Sequence, residues 1–333
     1  MNIGVVLINW NSGDYTQVCL ERLFAASRQP DRVVLVDNAS SDGSPAQLAA
    51  AWPDIDHLPQ SSNTGFAGGN NIGIRHLLDA GCEAIWILNN DTEVEAECLA
   101  VMEAALHADA GIGVATGKML FPVQDGEKTA RIWYAGGRIS PWTFEAKHLR
   151  QHQVDINSGG EAPPSDTGFV CGCSMLVRRE VLEQLGGFDN RFFAYCEDVD
   201  WSLRALAAGV RLRYLPAAVL THHVSVSTTR NTLGDAGGRI SPAAHYLLAR
   251  NRRLVIRRHA RGLASVTARF RYALRQVWFG LGLRLRGRSQ KRRAMRLGMK
   301  HGSSTPLMEQ VGFEASDEFG IPGEAMRLRP SDQ

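Results

Sequence analysis

Residues 186–209 read GGFDNRFFAYCEDVDWSLRALAAG, and three carboxylates, Glu197, Asp198 and Asp200, fall within four positions of one another. They follow the aromatic residues Phe192, Phe193 and Tyr195. Val199, Leu203 and Leu206 recur at i, i+4 and i+7, the spacing of an amphipathic helix. Two readings compete. Acidic residues suit the first turn of a helix, where free amides and the dipole favour negative charge. Three carboxylates this close also repel one another, which makes better sense if one holds a proton or faces a cation. Aromatic neighbours would help to strip water from a reacting group. The stretch therefore predicts acid–base chemistry on condition that the rest of the chain supplies something to act on.

A second chemical signal is Asn89-Asn90-Asp91, directly after the apolar run AIWIL at residues 84–88. An Asp at a strand's carboxyl end, beside neutral amides, is a suitable oxygen ligand for Mg²⁺ or Mn²⁺ carrying a diphosphate. The structural alternative is an Asx turn or a helix N-cap, with the residues after Asp91 read as helical. His222 is a candidate to complete a metal shell, against the commoner fate of a surface or core histidine. Gly65, Gly68, Gly69 and Gly73 would let backbone approach a phosphate, or would simply make a tight strand–helix loop. Cys171-x-Cys173 lacks zinc-ligand spacing and reads as core sulfur. The dinucleotide fingerprint is absent, because NWNSGD follows the first strand; no G-x-x-x-x-G-K-[ST] occurs, which removes the P-loop NTPases.

The elements that must position these groups alternate. Residues 3–9 (IGVVLIN), 32–36 (RVVLV) and 84–88 read as strands buried on both faces. Helices are expected over residues 15–26, 45–52 and 72–80, with a short strand at 56–58 and a Gly/Asn loop at 63–71. Such alternation is the signature of a parallel α/β sheet, whose ligands bind at the carboxyl ends of the strands, where Asp37 and Asp91 both sit. Beyond Gly111 the pattern gives strands at 114–120, 132–139, 169–177 and 212–215, a polar loop at 151–166 and a helix at 178–184.

A chain of 333 residues has room for one large domain or two moderate ones. Its 44% hydrophobic and 21% charged residues are ordinary for a soluble globular protein. The first residues lack a basic region and a cleavage site, and six cysteines do not make a disulfide framework at this length, so a cytoplasmic protein is expected. The net charge of +3 hides an asymmetry. Seventeen of the 37 Lys and Arg lie between Arg250 and Lys300, a span without Asp or Glu, leaving 20 basic against 34 acidic residues elsewhere.

In order along the chain, VVLINWNSGDY, VLVDNASSDGS, NTGFAGGNNIGI, ILNNDTEVE, GGFDNRFFAYCEDVDWSLRALAAG and THHVSVST resemble the motif series of family 2 glycosyltransferases, most of all the bacterial rhamnosyltransferase-like branch. IWYAGG at 132–137 and ARNRRLVIRRH at 249–259 are similar to that branch as well. The resemblance covers roughly residues 1–260. It implies a GT-A fold, an α/β nucleotide-sugar-binding sheet with helices on both faces, followed by a mainly helical basic segment. The expected division is a catalytic domain over 1–240 (donor half 1–110, acceptor half 111–240), the basic segment at 241–301 and a partly disordered tail at 302–333.

The resemblance also implies roles. Asp198 matches the family's catalytic base, with Glu197 as the neighbour that can be confused with it. Asp91 matches the last acid of the metal-binding D-x-D motif, Asn89 stands at its first acid, and His222, rather than His223, fits the later H-x-V-S-x-S pattern. The donor set becomes Asn9, Asp37, Asn38, Asn63, Gly65, Asn71, Asn89 and Asn90; Tyr195 and Trp201 become acceptor contacts. The implied activity is metal-dependent, inverting transfer from a nucleoside-diphosphate sugar to a glycan or lipid-linked acceptor, with Mg²⁺ or Mn²⁺ as cofactor. Two other classes compete: a sugar-nucleotide nucleotidyltransferase, disfavoured by the acidic NSGD after strand 1, and a noncatalytic nucleotide-binding scaffold. In the basic segment, apolar residues from Val266 to Leu281 recur at helical spacing between arginines. This predicts contact with an anionic membrane surface, against a helix packed on the acidic body. Nucleic acid is not expected, because no reading module accompanies the charge.

Overall fold

The computed structural model describes residues 1–123, 129–155, 163–223, 240–307 and 311–313. The strands are β1 Ile3–Asn9, β2 Arg32–Asp37, β3 Asp56–Pro59, β4 Ala84–Leu88, β5 Thr92–Val94, β6 Ile112–Leu120, β7 Ile132–Tyr134, β8 Gly137–Ile139, β9 Ala146–His148, β10 Ser165–Asp166, β11 Ser174–Arg178 and β12 Arg211–His222. The helices are α1 Gly13–Phe24, α2 Ser44–Ala51, α3 Gly65–Asp79, α4 Cys98–Ala108, α5 Arg179–Leu185, α6 Glu197–Ala207, α7 Pro242–His259, α8 Gly262–Leu285 and α9 Ser289–Ser304. The main sheet runs β10-β12-β6-β11-β4-β1-β2-β3, with β5 added to β12 and β7 to β6; β8 and β9 pair separately. β4, β1, β2 and β3 are mutually parallel, whereas β11 enters antiparallel between β4 and β6.

Unbroken apolar runs form the central strands because both sheet faces are covered. Along β1, Ile3, Val5 and Leu7 enter one core with Leu20 and Leu23 of α1 and Met102 of α4. Val6, pointing the other way, joins a second core with Ile74 and Leu77 of α3, Leu182 of α5 and Trp201 of α6. The expected α/β sheet with helices on both faces is therefore what the chain forms.

Several local expectations are corrected. The Gly/Asn stretch 63–71 is not a loop leading into a helix: α3 begins at Gly65 and takes in GFAGGNN. Packing overrides the poor helix propensity of Gly and Asn. A Cβ on Gly73 would stand 2.5 Å from Val6 Cγ1, so only glycine lets α3 settle this close to the sheet. Residues 132–139 form two short strands, β7 and β8, separated by Gly136 at φ +79°. The strand expected at 169–177 starts only at Ser174, while β12 runs on through Pro216 to His222. Proline has no amide to give the ladder, and the β6–β12 register slips between Leu215 and Val219. After Asp91 comes strand β5 and not a helix, a difference that builds part of the site.

The first helix of the basic segment packs on the acidic body. Leu254 and Val255 of α7 join the main core. Asp200 is fully buried, and an unpaired buried carboxylate would cost several kcal/mol, on the order of the penalty for desolvating one ion. Here Arg204 Nε lies 3.0 Å away, Arg258 Nη1 3.3 Å and His259 Nε2 2.7 Å. Burial works to raise this carboxyl, but the His259 hydrogen bond and the charges of Arg204 and Arg258 bring it down to about 2. The third acid of the trio is thus the tie between α6 and α7. The tail beyond residue 313 lies outside the described residues.

Candidate active site

Sheet register explains how Asp91 meets His222. The β5–β12 ladder pairs Thr92 with His222, and His223 donates its amide to the Asp91 carbonyl at 2.9 Å. The His222 Nε2 atom then lies 3.2 Å from Asp91 Oδ1. Side chains alternate along the strand, so His223 turns elsewhere, with Nε2 2.8 Å from Glu93 Oε1. Trp133 of β7 stands edge-on to the His222 ring, 4.4 Å between centroids. Asn89 Oδ1, Asp91 Oδ1 and His222 Nδ1 are buried and make no hydrogen bond, although buried polar atoms nearly always find a partner.

Among the described residues no group of three or more His, Cys, Asp or Glu is arranged to hold a metal. Asp91 and His222 supply one carboxylate and one imidazole at the open end of the sheet. That small set fits a hard divalent ion that takes its remaining ligands from water and a diphosphate. The orphaned oxygen of Asp91 agrees with that fit.

The amides expected to contact a donor are mostly occupied within the chain. Asn9 is fully buried; its Nδ2 donates to Asp37 Oδ1 at 2.9 Å and Ser44 Oγ at 2.8 Å, and its Oδ1 accepts from Thr16 Oγ1 at 3.1 Å. Asn38 Oδ1 accepts from Thr64 Oγ1 and its Nδ2 donates to the Gly65 carbonyl, both at 2.9 Å. Asn71, also fully buried, ties α3 to residues 188–190: it donates to the Phe188 carbonyl at 2.7 Å and accepts from the Phe188 amide at 2.8 Å. These three side chains brace the chain, and Gly65 is held in the same way. Its amide is taken by Asn63 Oδ1 at 2.8 Å, and a Cβ there would stand 2.5 Å from the Phe193 carbonyl oxygen. Asp37 accepts from the Ser40 amide at 2.9 Å through the oxygen not bonded to Asn9, and Asn90 donates to Ser12 Oγ and Thr16 Oγ1 at 2.8 and 2.7 Å.

The acidic helix begins under backbone strain. Phe193, Tyr195 and Cys196 have φ of +60°, +70° and +67°, a region costing non-glycine residues about 1–3 kcal/mol each. The loop is held from α7, where Asn251 Nδ2 lies 2.7, 2.8 and 2.7 Å from the carbonyls of Phe192, Ala194 and Tyr195. Arg250 donates to the carbonyls of Arg191 and Phe192 at 2.7 and 2.9 Å. Both residues belong to ARNRRLVIRRH at 249–259, a stretch to which the resemblance assigns no role. The cue was available in the opposite charges of the two halves of the chain.

Glu197 and Asp198 differ sharply. Glu197 is buried and its Oε2 is unpartnered. Burial, then the charge of Asp198, pushes its carboxyl well above the usual range, toward the protonated form. Asp198 is half-buried; burial raises its carboxyl too, but it accepts from the Gly172 amide at 3.2 Å and the Val199 amide at 2.8 Å, which favour the charged form. Glu197 is thus the better placed of the two to keep a proton. Tyr195 is half-buried beside them, its phenol pushed up to about 12 by burial and by Glu197. Trp201 is not an acceptor contact. It is 1% exposed in the second core and donates to the Gly186 carbonyl at 3.1 Å.

Two consecutive residues join the acidic helix to the end of the sheet where Asp91 and His222 meet. Gly172 gives its amide to Asp198, and the carbonyl of Cys173 accepts from the Asn89 amide at 2.9 Å. The Cys173 thiol, pushed up mainly by burial, is also influenced by Asp91 and Asp198. The expected base and the Asn89–Asp91 turn therefore flank one piece of backbone.

A stability measurement tests the protonated Glu197. Its raised carboxyl means that the native state holds a proton that the unfolded chain releases above about pH 4.3. That contribution is complete below the unfolded value and is lost as pH rises toward the folded one. Glu197→Gln removes the loss, so its stability relative to the parent is expected to improve steadily between pH 5 and pH 8, read as urea midpoints. A difference that stays flat or shrinks over that window overturns the assignment.

Comparison with known proteins gives the family and the fold. The family model described as "Glycosyl transferase family 2" matches residues 4–186. An N-acetylglucosaminyl-diphospho-decaprenol L-rhamnosyltransferase of Mycobacterium tuberculosis is 28% identical over 251 residues, 68% of this chain and 78% of that protein. Among solved structures, S. aureus TarS 1-349 in complex with UDP-GlcNAc superimposes with a TM-score of 0.55 at 15% identity, covering 88% of this chain and 79% of that one. The mannosyltransferase PcManGT from Pyrobaculum calidifontis, in complex with GDP-Man and Mn2+, gives 0.51 at 17%, covering 91% and 86%. Identities this low speak for the shared GT-A-like fold alone.

Proposed function

This chain belongs to glycosyltransferase family 2 and is a glycosyltransferase, and from that premise we propose that it transfers rhamnose, by inversion, from dTDP-rhamnose to a hydroxyl of a lipid-linked glycan in cell-envelope synthesis. The donor half is residues 1–110 and the acceptor half 111–240. The observation carrying the reading is the Gly172–Cys173 step, whose adjacent backbone groups bond Asp198 on one side and the Asn89 turn on the other. The Mycobacterium tuberculosis relative supports the sugar and the acceptor class.

Asp198, charged and with its two oxygens aligned by the Gly172 and Val199 amides, takes the proton from the acceptor hydroxyl as that oxygen attacks the anomeric carbon. Burial makes it a stronger base than a free aspartate. Glu197, raised further than Asp198, is the member of the pair that favours its proton, which leaves Asp198 as the base. Asp91 and His222 would hold a Mg²⁺ or Mn²⁺ ion, which supplies positive charge to the departing diphosphate. Asp37, at the end of β2 and fixed by Asn9 and Ser40, faces the nucleoside side of the donor. Attack from the face opposite the leaving group inverts the anomeric carbon in a single displacement. Among the described residues no helix is long and apolar enough to cross a membrane.

The test is a panel of sugar nucleotides offered to the purified chain with a polyprenyl-diphosphate-linked acceptor, with and without Mg²⁺ or Mn²⁺. Release of dTDP from dTDP-rhamnose, with the product's anomeric centre inverted by NMR, is the expected result. Pyrophosphate release would identify a nucleotidyltransferase, and turnover with a different donor would overturn the sugar assignment.

A further inference from the structure

Helix α8 packs on the protein through a narrow face of mostly small residues and turns a row of large apolar side chains to solvent. The face turned inward carries Ala268, Tyr272, Gln276, Gly280 and Leu283, in steps of four, four, four and three. Tyr272 fixes the helix by donating to the Ala249 carbonyl of α7 at 2.8 Å. The opposite face carries Leu263, Val266, Phe270, Leu274, Val277 and Leu281, in steps of three, four, four, three and four, each between 44 and 70% exposed. Trp278, 66% exposed, widens this stripe on one flank. Single exposed apolar residues need no explanation, but a continuous stripe along a 24-residue helix marks a surface that something covers.

Charge decides between the candidates for that cover. The span from Arg250 to Lys300 holds 17 Lys and Arg and no acid, and exposed Arg269, Arg271, Arg284 and Arg286 border the stripe. A second copy laid on the same face would set arginine against arginine along the seam. An anionic lipid surface supplies both an apolar layer for the stripe and counter-charge for its borders. No described helix is long and apolar enough to span a bilayer, so α8 would lie along the surface, about 36 Å of it at 1.5 Å per residue. We propose that α8 docks this protein on an anionic membrane through the stripe from Leu263 to Leu281. The docking stands independently of the donor and acceptor assignments. Its geometric consequence is that α7 links the docked face to α6, through Tyr272 on one side and His259–Asp200 on the other.

The experiment is co-sedimentation of the full chain with vesicles of phosphatidylcholine alone or mixed with phosphatidylglycerol, at low and high ionic strength. The comparison is a Phe270→Ser, Val277→Ser, Trp278→Ser triple variant, whose positions all face outward. Expected are binding to the anionic vesicles only, loss of that binding at high salt, and a decrease of roughly tenfold or more in the triple variant. Circular dichroism and gel filtration should show the variant folded. Equal binding by parent and variant, or no binding by either at low salt, overturns the proposal. So does a dimer of the parent that the triple substitution dissolves, since a second copy would then cover the face.

Discussion

Asp198→Asn is expected to lower turnover by roughly 10²–10⁴-fold, the usual contribution of a positioned general base, while donor affinity stays within about twofold of the parent. The substitution keeps the size of the side chain and removes its ability to take a proton. It also alters the local bonding: Oδ1 accepts from Val199 and Oδ2 from Gly172, and an asparagine has a single acceptor oxygen. One of those amides loses its partner, a loss of about 1–2 kcal/mol. The variant should therefore unfold somewhat more easily, and folding must be checked at the assay temperature. Donor affinity, read by calorimetry, separates the two effects, because Asp91 and His222 hold their places through the β5–β12 ladder rather than through α6. A dead Glu197→Gln beside an active Asp198→Asn would exchange the two roles and would contradict the electrostatics, in which Glu197 is the member that favours its proton.

What sequence could reveal here follows the range of the interactions. The strands at 3–9, 32–36 and 84–88 were legible because a run of β-branched residues has few other places to be buried. The acidic helix was legible from its own periodicity. Trp201 was misplaced although the same periodicity held the answer: it lies four residues after Glu197 and four before Ala205, and all three are on the buried face. The start of α3 was hidden because glycine there answers to β1 across the packing interface, not to its neighbours in sequence. The braces Asn9, Asn38 and Asn71 resembled ligand contacts, since an amide that holds a loop and an amide that holds a phosphate look alike until their partners are known. The meeting of Asp91 with His222 depends on a pairing across 130 residues of chain, and only the register of β5 on β12 displays it. Nor could the sequence say that Asp200 pairs with α7 while Asp198 bonds the Gly172 amide, two positions apart on one helix.

Asp91→Ala is expected to abolish the part of donor affinity that depends on a divalent ion, a loss of at least roughly tenfold to a hundredfold, with turnover falling in parallel. The fold should tolerate it. The change takes from His222 Nε2 the carboxylate oxygen 3.2 Å away, but the turn keeps the Thr92 Oγ1 bond to the Asn89 carbonyl at 2.7 Å and the Asn89 bond to Cys173. Stability is thus expected to stay within about 1 kcal/mol of the parent. Nucleotide affinity measured by calorimetry with Mg²⁺, with Mn²⁺ and with a chelator gives the decisive comparison. The parent should bind more tightly with either ion than with the chelator, and the variant should bind equally in all three. His222→Ala is expected to follow Asp91→Ala, because the two side chains share one end of the sheet. His223→Ala should keep the metal dependence, since that ring is engaged with Glu93 at 2.8 Å. Unchanged affinity and turnover in Asp91→Ala would remove the metal from this site. Metal dependence lost in His223→Ala but kept in His222→Ala would move the ligand to the other histidine and refute the strand alternation on which the assignment rests.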